Sequence, residues 1–118
     1  MNFKEFGKHY LVELIGCDPG KISTTTSLER AMLRAARESN TTVLSHAFHQ
    51  FSPHGATGFL FIAESHLSVH TWPEANYAAL DIFTCGAEMD APRAIAVLQE
   101  EFAATEVKTQ MLPRGYGI

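Results

Sequence analysis

Between Thr41 and Gly86 the chain carries four strand-like stretches in succession, with no helix among them. "TTVLSHAFHQF" (41–51) is rich in β-branched and aromatic residues, the types that suit a pleated surface. After the loop "SPHGATG" come "FLFIA" (59–63), "HLSVHTW" (66–72) and "NYAALDIFTCG", closed by Gly86. Links this short join antiparallel neighbours, because a parallel crossover needs a dozen or more residues. The block commits the chain to an antiparallel sheet, and everything outside it must extend that sheet or pack on it.

The flanking segments supply both. "KHYLVELIG" (8–16) alternates as a strand, with Tyr10, Val12 and Leu14 on one face and Leu11, Glu13 and Ile15 on the other. "TSLERAMLRAARES" (26–39) reads as a helix with the apolar stripe Leu28, Ala31, Met32, Ala35 and Ala36. Thr26 and Glu29 have capping-box spacing. A second helix runs from about Ala91 to Ala103. Asp90 is its N-cap, Pro92 lies in its first turn, and Ile95, Leu98 and Phe102 share a face. "TEVKTQML" (105–112) reads as the last strand, and the tail "PRGYGI" as loose. The expected architecture is α+β: a two-layer sandwich with an antiparallel sheet and both helices on one face. Each half pairs a strand with a helix and a further strand, but the halves are too dissimilar to be called a repeat.

The 118 residues make one domain, 1–118. With 46% hydrophobic and 19% charged residues the chain can bury a core. It is also short enough that a deep pocket would be shared between subunits. The net charge of -4, without a cluster of Lys or Arg, argues against nucleic acid as a partner. No apolar run approaches the roughly 20 residues that span a membrane. The N-terminus lacks the apolar core of a signal peptide. A cytoplasmic location is expected. Cys17 and Cys85 lie far apart and outside any CxxC pair, so neither a disulfide nor a structural zinc site is expected. His46 and His49 are three apart on a strand and face opposite sides, which makes no metal clamp.

The junction "AESHLSVHTWPE" (63–74) is unusual. Strands joined this tightly commonly turn on glycine or asparagine, and here the residues are Glu64, Ser65 and His66, with His70 four further on. A serine hydroxyl needs a base or a strained geometry to act as a nucleophile, and a sharp turn supplies strain. Attack by Ser65 on the Glu64 carbonyl would give an ester, and elimination from that ester would cut the chain. His70 is the nearby imidazole able to move protons. Cys85 ends the next strand, where a hairpin would return it toward the same end of the sheet. The plain reading stands beside this one: a serine at a turn bonds its own backbone, a strand histidine faces solvent, and a cysteine packs. Ser65 and His70 are five apart, so in an unbroken strand they point to opposite faces.

Taken together, "FHQFSPHGATG", "ESHLSVHTWPE" and "YAALDIFTCG" resemble, in order and spacing, the small prokaryotic S-adenosylmethionine decarboxylase proenzymes. The resemblance extends from "GKHYLVELIGCD" to the strand after the second helix. It implies an inactive precursor that cuts itself between Glu64 and Ser65. Residues 1–64 would form the β chain and residues 65–118 the α chain, with Ser65 converted to a covalent pyruvoyl cofactor. That group would form a Schiff base with S-adenosylmethionine and release carbon dioxide, supplying aminopropyl groups for spermidine. His70 matches the histidine that assists cleavage, and Cys85 the cysteine that gives a proton to the product carbon. Thr57 stands where a related member has a serine implicated in processing. Phe51 matches an aromatic that stacks on adenine, and Glu74 an acid that binds the ribose hydroxyls. Trp72 is a further aromatic face for a sulfonium cation. The resemblance implies a homodimer of cleaved protomers (two α and two β chains) with sites near the interface, and no metal. Two rivals share these features: a pyruvoyl-dependent arginine or ornithine decarboxylase, and an uncleaved regulatory homologue. Phe51 and Glu74 favour the nucleoside substrate over the first.

Overall fold

A computed structural model describes residues 6–85 and 88–115. Six strands form one sheet: β1 (Gly7–Ile15), β2 (Val43–Gln50), β3 (Ala56–Ile62), β4 (Ser65–Trp72), β5 (Tyr77–Thr84) and β6 (Glu106–Arg114). Their spatial order is β2-β3-β4-β5-β1-β6, and every neighbouring pair is antiparallel. The consecutive hairpins β2 to β5 occupy one side of the sheet, as their short links require. β1 lies between β5 and β6. Helices α1 (Thr25–Glu38) and α2 (Ala91–Phe102) touch each other, and α1 also packs on β2 and β3 while α2 packs on β1. This is the expected two-layer α+β sandwich.

The alternation along each strand decides what the helices cover. Val12 and Leu14, Leu60 and Ile62, Leu67 and Val69, and Ala78, Leu80 and Ile82 are all buried. They meet Leu28, Met32 and Ala35 of α1 and Ala94, Leu98 and Phe102 of α2 in one core. Burying each large side chain contributes about 1.5–3 kcal/mol. The opposite face carries His9 and Leu11, Thr57, Phe59 and Phe61, His66, Ser68 and His70, and Asp81 and Phe83. No helix covers it.

Some expected boundaries shift. The cap of α1 is Thr24, whose hydroxyl accepts from the Ser27 amide at 3.2 Å, rather than Thr26. The helix starts one residue before that threonine. The strand expected from Phe59 begins at Ala56, because the backbone of 56–58 pairs with β2, and that of 57–58 with β4 as well. Pro113 and Arg114, expected in a loose tail, close β6 against Lys8 and Gly7. Asp90 caps α2 as expected, accepting from the Arg93 amide at 3.0 Å. Gly86, expected to end β5, lies outside the described residues.

On the outer helical surface Arg34 bonds Glu38 at 2.6 Å and Glu101 at 2.7 Å, and Arg93 reaches Glu38 as well. This network ties α1 to α2. Arg34 first, and then Arg93, holds the Glu38 carboxyl below the usual carboxylate range.

Candidate active site

The β3–β4 hairpin turns on Ala63 and Glu64, with Ile62 and Ser65 paired across it. Two-residue turns usually draw their curvature from residues at positive φ, hence Asn-Gly and its kin. Ala63 and Glu64 both stay at negative φ, and the unusual angle falls on Ser65, at +151°. A non-glycine residue held there stores on the order of 1–3 kcal/mol. The strain sits on the residue that carries the hydroxyl.

The preceding carbonyl is gripped from the other side. Glu64 O accepts from the Cys85 amide at 3.0 Å and from the Cys85 thiol, Sγ, at 3.1 Å. β5 brings Cys85 there because Ser65 pairs with Thr84. The Glu64 side chain is held separately: its Oε1 accepts from the Thr41 hydroxyl. Ala63 is fixed by its amide donating to Thr42 O at 2.9 Å. Nothing in the sequence points to Thr41, since it reaches Glu64 only through the pairing of β2 with β3. Beside this turn opens a cleft of about 530 Å³, lined by residues that include Arg37, Asn40, Thr41, Glu64 and Glu88.

Two donors aimed at one carbonyl oxygen stabilise negative charge that develops there. With a serine on the adjacent strained residue, the geometry suits intramolecular attack on that peptide bond.

His70 and Thr57 are elsewhere. They are register partners on β4 and β3, and Thr57 Oγ1 lies 3.0 Å from His70 Nδ1. Five residues of strand separate His70 from Ser65, about 16 Å at the usual rise. Within one chain these groups do not meet, in line with the five-residue spacing that argued against convergence. Phe51 and Glu74 lie at the His70 end as well. Phe51 follows β2 and is 49% exposed. Its amide donates to Gly55 O at 2.9 Å. Gly55 has φ +91°, and a Cβ there would come within 2.6 Å of Thr71 O, so glycine lets this loop lie against the end of β4. Glu74 sits in the short 3-10 turn Pro73–Ala75 after β4 and is exposed. Trp72 stacks on Tyr77, with ring centroids 5.3 Å apart. Burial, with Glu13 beside it, pushes the Tyr77 hydroxyl up to about 12.

His66, beside Ser65, faces the uncovered side of the sheet. Its ring is stacked between Phe59, at 5.2 Å, and Phe83, at 6.1 Å. Burial, and then neighbouring His9, lowers its pKa. His9 in turn bonds Asp81 at 3.1 Å. Cys17 is buried, as expected, which pushes its thiol up to about 11. Among the described residues no group of three His, Cys, Asp or Glu gathers as a metal ion would require. Nor is any helix among them long and apolar enough to cross a membrane.

An antiparallel α+β sandwich with a strained Glu–Ser peptide held by a thiol and an amide has the geometry that a self-processing site requires. Comparison with known proteins gives the particular family. The family model described as S-adenosylmethionine decarboxylase matches residues 8–115. The S-adenosylmethionine decarboxylase proenzyme of Pseudomonas aeruginosa is 43% identical over 111 residues, covering 94% of this chain and 69% of its own. That of Pyrococcus horikoshii is 43% identical over 109 residues, covering 92% and 78%. Among solved structures, the adenosylmethionine decarboxylase from Aquifex aeolicus superposes with a TM-score of 0.90 at 35% identity, covering 98% of this chain and 96% of that one. The chain belongs to the S-adenosylmethionine decarboxylase family.

Proposed function

We propose that the chain cuts itself between Glu64 and Ser65 and then decarboxylates S-adenosylmethionine. The observation that carries this is the double grip of Cys85 on the Glu64 carbonyl beside a strained Ser65. Ser65 Oγ bonds to the Glu64 carbonyl carbon as the C–N bond breaks, and the hydroxyl proton passes to the freed amine. Elimination removes the Ser65 α-proton and breaks its Cβ–O bond. That leaves a carboxylate on Glu64 and a dehydroalanine at position 65, which water converts to a pyruvoyl group and ammonia.

The residues present fit that group: Ser65 is its source, and the Cys85 thiol lies beside it. A pyruvoyl carbonyl supplies an electrophile for the substrate amine and a sink for the electrons released with carbon dioxide. Cutting the peptide unties Glu64 from Ser65 and turns the carbonyl that the Cys85 thiol binds into part of a free carboxylate; once that end shifts, the thiol is free to deliver a proton to carbon. Phe51 offers a face for the adenine and Glu74 an acceptor pair for the ribose hydroxyls.

His70, Thr57, Phe51 and Glu74 reach Ser65 from a second copy. The uncovered sheet face is rich in aromatic groups, and Phe61 (54% exposed) and Leu112 (46%) lie on it. A patch of that kind marks an interaction surface. A two-fold axis lying in this face and running across the strands stacks two copies with strand direction reversed, bringing the partner's His70 end beside Ser65 and Cys85. The resulting homodimer holds two shared sites.

Intact mass tests the reading. Two chains in place of one of 13.0 kDa are expected, with carbon dioxide released from S-adenosylmethionine but not from arginine or ornithine. Ser65→Ala should give a single chain. A wild-type chain that stays intact after long incubation overturns it.

A further inference from the structure

An aromatic face offered to adenine must keep its place, yet Phe51 is 49% exposed and stands outside the core cluster. We propose that Gln50 is the positioning residue for that ring, because it ties the 51–55 loop to the start of α1. The inference rests on the adenine-binding role proposed for Phe51.

The ring is supported through its neighbours in the chain. His49 stands edge-on to it, with ring centroids 4.6 Å apart. The bond from the Phe51 amide to Gly55 O closes the loop. That same carbonyl accepts from Gln50 Nε2 at 2.9 Å. Gln50 Nε2 also donates to Ser23 O at 2.8 Å, and Phe51 O lies 3.5 Å from it. Gln50 Oε1 accepts from the Thr25 amide at 3.1 Å. Both ends of one side-chain amide are therefore used, and turning it over would set oxygen against carbonyl oxygens. Ser23 and Thr25 flank Thr24, the cap of α1. The Thr25 amide is one of the first-turn donors that a helix cannot satisfy from within. Because α1 is seated in the core by Leu28 and Met32, the loop is fastened to a buried helix. At the far end of the loop Thr71 does the same from β4. Its hydroxyl accepts from the Ala56 amide at 2.9 Å and lies 3.2 Å from Ala56 O. Thr71 is buried and Gln50 is exposed, so the Gln50 fastening can be removed without opening the core. A loop ordered before the substrate arrives spares the entropy that binding would otherwise lose.

The test is Gln50→Met, which keeps the length of the side chain and loses its donors and acceptor. It should cut itself at the wild-type rate. Its KM for S-adenosylmethionine should rise about five- to tenfold with kcat within about twofold, the pattern of lost binding rather than lost chemistry. Methylthioadenosine, which keeps the adenosine and lacks the reacting amine, should weaken as an inhibitor by a similar factor. A merely structural role would lower the melting temperature and leave both constants in place. The decisive comparison adds Phe51→Ala. Alone, Phe51→Ala should raise KM, and Gln50→Met added to it should raise KM no further, since the residue acts through the ring. An unchanged KM in Gln50→Met, or the same rise with and without the ring, overturns the role of Gln50 alone. An unchanged KM in Phe51→Ala overturns the adenine reading of Phe51, and the role of Gln50 falls with it.

Discussion

At Ser65 the backbone sits at φ +151°, and one residue earlier a carbonyl is held by both donors of Cys85. The two facts assign Cys85 a part in both halves of the proposed chemistry. Cys85→Ala removes the thiol but keeps the amide. We expect it to cut, several-fold more slowly, since one lost hydrogen bond is worth about 0.5–1.5 kcal/mol. Its turnover of S-adenosylmethionine should fall far more, because no other group replaces the proton on carbon. Mass spectra timed after synthesis and carbon dioxide release measure the two separately, and normal turnover would exclude the proton-donor role. Glu64, Ser65 and Cys85 were legible in the sequence as an odd turn followed by a strand-end thiol. The grip on the carbonyl was not, because it depends on the register that pairs Ser65 with Thr84.

The elements were legible wherever periodicity is strong. The stripes of α1 and α2 and the four consecutive strands all follow from spacing. The boundaries that moved did so through pairing that no local pattern contains: Ala56 to Gly58 became strand because two neighbours bond them. Gly58 shows why that segment looked like loop. It lies beneath α1, where an added Cβ would come within 2.6 Å of Met32 Sδ and 2.7 Å of the Phe48 ring. The glycine is a packing requirement of β3 rather than a turn signal. Gly58→Ala should cost about 1–3 kcal/mol by overpacking. A thermal melt should show a drop of several degrees, and an unchanged melting temperature would mean that α1 lifts without cost.

For the whole molecule, the uncovered sheet face decides most of what remains. If His70 acts across it, a mixture of two inactive proteins should recover the reaction. In Ser65→Ala combined with His70→Ala, the His70→Ala chain keeps its serine and borrows the partner's imidazole. We expect cut chains derived from His70→Ala and none from Ser65→Ala, whereas no cutting in mixed dimers would place His70 within its own protomer's site. The same face is sensitive to acid. His66 has a lowered pKa from burial and from His9, so as pH falls below its ordinary 6.5 the unfolded chain takes up the proton first. Stability therefore declines with acidification until the folded value is passed. His66→Phe, which keeps a ring between Phe59 and Phe83, should flatten that part of the curve of melting temperature against pH. The two-layer plan was readable from strand order. The proposed meeting of Ser65 with His70 was not, because the sequence of one chain does not state which residues a symmetry axis would bring together. The strand order has one more consequence. β1 belongs to the first product of the proposed cut, yet it is seated between β5 and β6, which belong to the second. The products are dovetailed: neither can slide free without breaking the β3–β4, β5–β1 and β1–β6 ladders together. Dilution should not part them, and the enzyme that has lost a peptide bond should come apart only when it unfolds.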